Sequence, residues 1–389
     1  MSVPGEFDGE PYATRLAIAR EALTSGAGAG LLLGPGADLR WLTGYAPLPL
    51  ERLTMLVLPA DGPATLLVPR LEAAGAAASP AAASGAVSIA TWEETADPYA
   101  AVVRVLPAGG GTRGTGRRYL VSPSLWSLHL LRLQAALPGA AWGLSGEALR
   151  AARMVKDEQE VRLLREAAHA ADAVVRAIAA GRLADRTEAD VAYEVRRRLV
   201  DAGHDEAAFW IVGSGPHSAE PHHEPGDRRI RPGEPIVLDI GGVRRGYCSD
   251  TTRTIWVTGG DPALGPDSTF AGLYGVLQGA HAAAVAAVRP GVPAEAVDAA
   301  ARDPITAAGY GAQFIHRTGH GIGLEGHEEP YLVAGNREPL AAGHAFSIEP
   351  GIYIEGRYGA RIEDIVVCTA QGADVLDTTP RDLFVVSGL

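Results

Sequence analysis

The sequence predicts a protein of the α+β class with two domains, a smaller α/β domain over residues 1–153 and a larger domain over residues 154–389. Two observations support this prediction. Over roughly the first 150 residues, short apolar runs alternate with helical stretches, which is typical of a small α/β domain. From Asp157 onward, two helical patterns are followed by strand-rich segments. A chain of 389 residues is long enough for both domains to have a hydrophobic core.

In the first domain, residues 11–26 are predicted to form a helix and GLLLG (30–34) a short buried strand. Two apolar runs follow, separated by the turn signal Asp61-Gly62. The runs cover 53–59 and 64–69, further strands are expected at 86–90 and 118–122, and helices near 95–106 and 124–137.

The second domain is predicted to begin with two helices. Asp157 and Glu160 fit a capping box at the start of a helix that ends at Gly181, and a second helix runs from Thr187 to Gly203. Strand-like segments and a helical section at 268–288 and 293–308 follow. The strand-like segments are IVLDIGG, YCSDTTRTIWV, HAFSIEPGIYIEG and GARIEDIVVC.

Composition excludes some classes of function. A net charge of −12 and a pI near 5.4 argue against nucleic acid or an anionic membrane as a partner. Cys248 and Cys368 are too few for a disulfide framework and are expected to be buried free thiols. The start MSVPGEFDGEPY has no apolar run, and no stretch approaches 18 uninterrupted apolar residues. A soluble cytoplasmic protein is therefore expected.

The first chemical signal is an aspartate pair, Asp239 and Asp250, in two strand-like segments around Arg244-Arg245. If the hairpin turns at that dipeptide, position i lies opposite 489 − i, so the two carboxylates face each other. Carboxylates this close repel each other unless a cation lies between them. The alternative is a protonated or arginine-paired aspartate in a core.

Glu349 and Glu363 repeat this arrangement around Gly356, provided that the turn has an odd number of residues or a bulge. His320 adds an imidazole. Four carboxylates and one histidine form an oxygen-rich ligand set that suits Mn²⁺, with Co²⁺ or Fe²⁺ as alternatives. Two divalent cations would neutralise the four carboxylates, whereas one would leave net negative charge. The sequence therefore predicts a centre with two metal ions.

Two glycine-rich motifs are weak signals of nucleotide binding. Residues 321–326 match GxGxxG, but no convincing strand leads into them, so these glycines are expected to allow close backbone approach beside His320. GGGTRGTG (109–116) lacks the Lys-Ser/Thr of a phosphate-binding loop. Neither a GxSxG elbow nor an HExxH motif is present in the sequence.

Taken together, the motifs resemble the creatinase/prolidase/aminopeptidase P family, the pita-bread metallopeptidases. The resemblance covers essentially the whole chain and implies a pita-bread fold for residues 154–389, preceded by the family's α/β N-terminal domain. Its motifs here are MVKDEQEVRLLREAA, PHHEPGDRRI, VLDIGG, YCSDTTRT, HRTGHGIGLEGHEEP, SIEPGIYIEG and GARIED.

The resemblance implies a role for each candidate ligand. Asp239 would bind one metal, His320 and Glu349 the other, and Asp250 and Glu363 both. Glu349 would also act as the general base toward a water that bridges the metals.

Four further residues are assigned by the same resemblance. His222 and His327 would position the scissile carbonyl and stabilise the tetrahedral intermediate, with His222 preferred over its neighbour His223. Arg361 would brace a bridging carboxylate or contact the substrate, and His316 would line the substrate pocket.

The implied function is hydrolysis of Xaa-Pro bonds, as an Xaa-Pro dipeptidase or an Xaa-Pro aminopeptidase, by a homodimer whose substrate is a proline-containing peptide. Two alternatives remain open at this point. One is a metal-dependent hydrolase or lyase of the same fold that acts on a non-peptide small molecule, and the other is a non-catalytic binding protein. His217, where many family members carry asparagine, would change a contact at the pocket edge.

Overall fold

A computed structural model describes residues 10–107 and 116–389. The predictions for the first nine residues and for most of the glycine-rich segment 109–116 therefore lie outside the described residues. The chain divides into two compact units, Met1–Arg153 and Met154–Leu389.

The first unit is built around a mixed sheet with helices between its strands. Its elements are α1 (Glu10–Ser25), β1 (Gly30–Leu33), α2 (Ala37–Thr43), β2 (Met55–Pro59), β3 (Thr65–Pro69), α3 (Ala73–Ala77), α4 (Pro80–Ala83), β4 (Ser88–Trp92), α5 (Pro98–Val105), β5 (Arg118–Val121), α6 (Ser127–Ala136), β6 (Ala141–Leu144) and α7 (Gly146–Met154). The strand order is β4-β3-β2-β1-β5-β6, and β2 pairs antiparallel with both β1 and β3. Leu32, Val57 and Leu67 of the central strands are buried in its core.

The second unit has two main sheets and two pairs of long helices. Its elements are α8 (Glu158–Ala179), α9 (Glu188–Asp201), β7 (Glu206–Ser214), β8 (Glu234–Arg244), β9 (Tyr247–Cys248), β10 (Thr251–Val257), α10 (Ser268–Ala287), α11 (Ala294–Ala307), β11 (Gly319–Gly321), β12 (Glu328–Leu332), β13 (Ala345–Ile348), β14 (Gly351–Ile354), β15 (Tyr358–Arg361), β16 (Asp364–Thr369), β17 (Gly372–Val375) and β18 (Phe384–Val386). One sheet has the order β18-β10-β8-β7, with β9 on β8, and the other the order β12-β11-β13-β16-β17, while β14 and β15 form a hairpin.

Each main sheet of the second unit is covered by one helix pair. Helices α8 and α9 pack on the first sheet, and α10 and α11 pack on the second. The predicted capping box begins α8 and is confirmed, because Asp157 accepts from the Glu160 amide while Glu160 accepts from the Asp157 amide. Cys248 and Cys368 are buried free thiols, as predicted.

Helix α10 is long and apolar enough to cross a membrane when only length and composition are considered. However, Phe270, Leu273 and Leu277 on this helix are buried in the core that α10 shares with α11 and the second sheet. Packing within the second unit therefore accounts for its apolar character.

A fully buried arginine, Arg253 on β10, joins the two main sheets. It donates to Asp364 Oδ1 at 2.6 Å and to the backbone oxygens of Glu363 at 2.5 Å and Thr379 at 2.7 Å. Its charge also keeps the pKa of Asp364 well below the usual range, although burial acts in the opposite direction. Arg253 therefore fixes the backbone at Glu363.

We expect Arg253→Met to reduce the free energy of unfolding by about 3–5 kcal/mol, because it leaves a buried carboxylate without its main partner. The matched control is Arg197→Met, which removes an exposed i,i+4 pair with Asp201 and should cost about 1 kcal/mol or less. Urea unfolding of both variants measures the difference. Equal losses of unfolding free energy for the two variants would show that the buried contacts of Arg253 with Asp364 and Glu363 do not stabilise the fold.

Candidate metal centre and substrate pocket

The first aspartate pair lies on the hairpin of β8 with β9 and β10, but the predicted register is wrong. Asp239 lies opposite Thr252, so position i faces 491 − i and not 489 − i. The reason is the turn, which has Arg245 and Gly246 at its centre with φ of 50° and 93°. Positive φ at both central residues is the requirement of a type I′ turn, and it favours glycine.

The error of two residues does not separate the carboxylates. Side chains two residues apart on a strand point to the same face of the sheet. Asp250 therefore lies on the same face as Asp239, although the two are not directly opposite. Carboxylate oxygens of Asp239, Asp250 and Glu363 lie within 4.8 Å of one another. The structure thus brings the pair together diagonally.

Glu349 and Glu363 lie at matching positions where two hairpins meet. Both the β14–β15 pair and the β13–β16 pair place position i opposite 712 − i, which is the register centred on Gly356. Gly356 has φ of 70° in a three-residue turn. Glu363 also pairs with Thr252 of the first sheet, and the Thr252 hydroxyl donates to Glu363 Oε2 at 2.7 Å.

His320 is held in β11 by glycines on both sides. A Cβ atom on Gly319 would clash with the Ser347 carbonyl oxygen, and one on Gly321 would clash with the Glu329 carbonyl oxygen. No side chain fits at either position. The glycines of this segment therefore allow close backbone approach beside His320, as the sequence analysis expected.

The His320 ring presents a lone pair to the carboxylates. Its Nδ1 lies 3.1 Å from the Gly321 carbonyl oxygen, which can only accept, so Nδ1 carries the proton. Burial lowers the pKa of His320 to about 3, so the ring is neutral. Its Nε2 then points an unshared pair at Glu349 Oε1 (3.3 Å) and Asp250 Oδ2 (3.6 Å). This is the tautomer that a metal ligand requires.

Three acids of this cluster have raised pKa values. Burial first, and then the neighbouring carboxylates, raise the pKa of Asp250 well above its usual range. Burial and the charge of Glu349 do the same to the pKa of Glu363. Burial also raises the pKa of Glu349 to about 7, although Arg361 opposes the rise.

The donor set fits divalent metal ions. Oδ1 of Asp239 is buried and has no hydrogen-bond partner within the described part of the chain. His320, Glu349 and Glu363 form a second group of ligand atoms, again within 4.8 Å of one another. An unpaired buried carboxylate oxygen and a facing imidazole lone pair are costly unless a cation binds them.

The residue that opposes the negative charge is Arg361, whose side chain is buried beside the cluster. It donates to Asp239 Oδ2, to the Tyr353 hydroxyl at 2.9 Å and to Thr252 Oγ1 at 3.0 Å. Tyr353 was not predicted from the sequence. The hairpin register contains the signal for it, because Gly351 pairs with Arg361 and Tyr353 lies two residues further on the same face.

His316 ends a short hydrogen-bond chain from Arg361. Its Nδ1 donates to the Arg317 carbonyl oxygen at 2.8 Å, so its Nε2 accepts from the Tyr353 hydroxyl at 2.8 Å. Burial lowers the pKa of His316 to about 3 and keeps the ring neutral. Both nitrogens are used, and the ring therefore offers an apolar edge to the pocket.

The cluster lines a cavity of about 980 Å³. His222 and His327 line this cavity, and apolar side chains of Phe209, Ile211 and Ile315 form part of its wall. Such a concave, mostly apolar site with a few convergent polar groups is typical of a binding site for a small molecule or peptide end.

The adjacent residues His222 and His223 lie in different surroundings. His222 lines the cavity, whereas His223 contacts Glu188 Oε2 at 2.8 Å and Glu220 Oε2 at 3.1 Å. His217 also contacts Glu188, which is fully buried. Glu188 therefore stabilises the segment 217–223 that carries His222. Sequence reasoning missed Glu188, because its partners are 26 to 35 residues away along the chain.

Comparison with known proteins identifies the family. The model of metallopeptidase family M24 matches residues 162–370, and that of the Creatinase/Prolidase N-terminal domain matches residues 15–155. The chain belongs to metallopeptidase family M24. The resemblance inferred from its motifs is thereby confirmed, as is the α+β class with a pita-bread C-terminal unit.

Several relatives match over nearly the whole chain. A probable dipeptidase PepE of Mycobacterium tuberculosis is 49% identical over 381 residues, with 98% of each chain covered. The crystal structure of dipeptidase PepE from Mycobacterium ulcerans is 48% identical with a TM-score of 0.90, covering 98% of this chain and 100% of that one. A recombinant prolidase from Thermococcus sibiricus is 32% identical with a TM-score of 0.88, with the same coverage.

These findings show that the protein is a peptidase of a metal-dependent family, which implies bound divalent ions and a peptide substrate. They favour this function over the two alternatives that the sequence left open, a metal-dependent hydrolase or lyase of a non-peptide small molecule and a non-catalytic binding protein.

Without metal, protons must neutralise the carboxylates, and this makes stability depend on pH. The folded-state pKa values of Asp250, Glu349 and Glu363 are raised, so protonation stabilises the folded protein. That contribution is complete below the unfolded value of about 4 and is lost as pH rises through the folded value, about 7 for Glu349. We expect the Tm of chelator-treated protein to fall between about pH 5 and pH 8.

Protein loaded with Mn²⁺ should not show this fall, because the metal replaces the protons. The control is the double variant Asp250→Asn/Glu363→Gln, in which the metal-free profile should become flatter. Parallel profiles for the loaded and chelator-treated protein would contradict the electrostatic description of the cluster.

Proposed function

We propose that the protein is a dinuclear metal-dependent peptidase that hydrolyses Xaa-Pro bonds. The observation that carries this proposal is the cluster of four carboxylates that, with the His320 lone pair, lines a cavity of about 980 Å³. The prolidase and dipeptidase names of similar proteins support the substrate class.

Each ligand has a proposed place in the centre. Asp239 would hold one ion, and its unpaired Oδ1 is the free donor atom for it. His320 and Glu349 would hold the other ion, and Asp250 and Glu363 would contact both. Mn²⁺ suits this oxygen-rich set, with Co²⁺ or Fe²⁺ as alternatives. When bound, such ions polarise a carbonyl and lower the pKa of water.

Glu349 is the proposed general base. Its carboxylate lines the cavity, and its Oε1 accepts from the Ser347 hydroxyl at 3.1 Å, which orients it. A carboxylate at the cavity surface can take a proton from an attacking water and pass it to the leaving nitrogen. Arg361, which also donates to the Tyr353 hydroxyl, donates to Asp239 Oδ2 and so holds that carboxylate in place.

His222 and His327 are the proposed donors to the substrate carbonyl and to the oxyanion that forms from it. His316, with both nitrogens bonded elsewhere, would contact the proline ring through its apolar edge. Proline lacks an N–H, so an apolar wall leaves no substrate donor without a partner. The cytoplasmic location stays a prediction from the sequence, and the homodimer stays a prediction from the family resemblance.

After reconstitution with Mn²⁺, we expect the protein to hydrolyse Ala-Pro or Ala-Pro-Ala, and Ala-Ala at a much lower kcat/KM. Glu349→Gln should lower kcat by about 10²- to 10⁴-fold, because it removes the proton acceptor. Release of free amino acids, followed by chromatography, measures both effects. Lack of turnover on every Xaa-Pro dipeptide and tripeptide would defeat the proposal, and equal rates on Ala-Ala would defeat its specificity.

A further inference from the structure

Arg317 is a cation of the substrate pocket that the proposed function does not use. It is half-buried and lines the cavity between His316 and the strand that carries His320. Its guanidinium lies over the Tyr331 ring at 4.3 Å, and one terminal nitrogen is 3.5 Å from His327 Nδ1. Within residues 10–107 and 116–389, no aspartate or glutamate forms an ion pair with it.

The other arginine of the cavity is not available in this way. Arg361 is buried and uses its donors on Asp239, Tyr353 and Thr252. Arg317 has five N–H donors and one long contact, so most of its hydrogen-bonding capacity remains open to a ligand.

Arg317 lies beside the reaction site, since it lines the same cavity as His320 and Glu349 and one of its terminal nitrogens is 3.5 Å from His327 Nδ1. Stacking on Tyr331 holds the planar guanidinium in a fixed orientation, which reduces the entropy lost when it binds a ligand.

We propose that Arg317 binds the free α-carboxylate of the substrate and so makes the enzyme a dipeptidase. This inference rests on the proposed Xaa-Pro peptidase function. In an Xaa-Pro dipeptide, the proline that follows the scissile bond carries that carboxylate, which a guanidinium can bind through two parallel hydrogen bonds. In a longer peptide an uncharged amide takes its place, and the charge-assisted bonds are lost.

The test compares three substrates that differ only beyond the proline: Ala-Pro, Ala-Pro amide and Ala-Pro-Ala. With the full-length, Mn²⁺-loaded protein, Arg317→Gln should raise the KM for Ala-Pro by about 10- to 100-fold and leave kcat within a few-fold. On the amide and the tripeptide, which lack a carboxylate at that position, the same substitution should change KM far less than it does for Ala-Pro. Arg317→Lys keeps the charge but not the planar fork, and should recover part of the loss for Ala-Pro.

The matched control is Arg196→Gln. Arg196 is also an arginine over an aromatic ring, 5.1 Å from the centre of Trp210, but it is exposed and does not line the cavity. This variant should match the unsubstituted protein on all three substrates.

Two outcomes would overturn the inference. If Arg317→Gln weakens all three substrates equally, or loses all activity together with Arg317→Lys, then Arg317 supports His327 or the fold and does not select a carboxylate. If it changes none of them, it does not bind the substrate. Failure of the unsubstituted protein on every substrate is a different result, since it would overturn the proposed function itself.

Discussion

The second unit is organised around the mutual repulsion of four carboxylates that the fold brings together in its interior. Their ligand atoms lie within 4.8 Å of one another in overlapping groups, and the buried Arg361 is paired with one of them. At such a spacing, each charged pair would cost roughly 3–4 kcal/mol at an effective dielectric constant of about 20. The cluster has an excess of negative charge that divalent cations can neutralise. Burial, together with the same repulsion, raises the pKa values of Asp250, Glu349 and Glu363.

The surrounding structure is built to keep these acids in place against that repulsion. Two of them come from the first sheet, and the other two lie where the β13–β16 pair of the second sheet meets the β14–β15 hairpin, so the sheets must be fixed to each other. Thr252 does this by its backbone pairing and side-chain hydrogen bond to Glu363, and Arg253 does it by binding the next residue, Asp364. Glycines at 319 and 321 let the strand with His320 approach closely enough to complete the site. The site therefore requires particular residues not only as ligands but also at the positions that hold the ligands in place.

The sequence was sufficient for the elements whose signals are local. The capping box of Asp157 and Glu160 predicted the start of α8, and the register around Gly356 followed from the spacing of the two glutamates. The register around Arg245-Gly246 was predicted wrongly, because counting between two aspartates ignores which dipeptide can adopt positive φ. Helix α2 was also not predicted, since a short helix is stabilised by packing more than by pattern.

The parts of the site that sequence reasoning missed are those that depend on contacts distant in the chain. Tyr353 acts through Arg361, and Glu188 acts on the loop of His222 through His223. Arg317 lies within a recognised motif, but only the structure shows that its guanidinium faces the cavity without an acidic partner in the described residues. The sequence motifs therefore identify the metal ligands, whereas the side chains that surround the substrate pocket are identified by contacts between residues distant in the chain.

The central claim is that this cluster binds two metal ions. Anomalous diffraction from crystals of Mn²⁺-reconstituted protein, recorded at the manganese absorption edge, tests it most directly. We expect two peaks, one beside Asp239 and one beside His320, with Asp250 and Glu363 in contact with both. A single peak in the cluster, or none, would contradict this account.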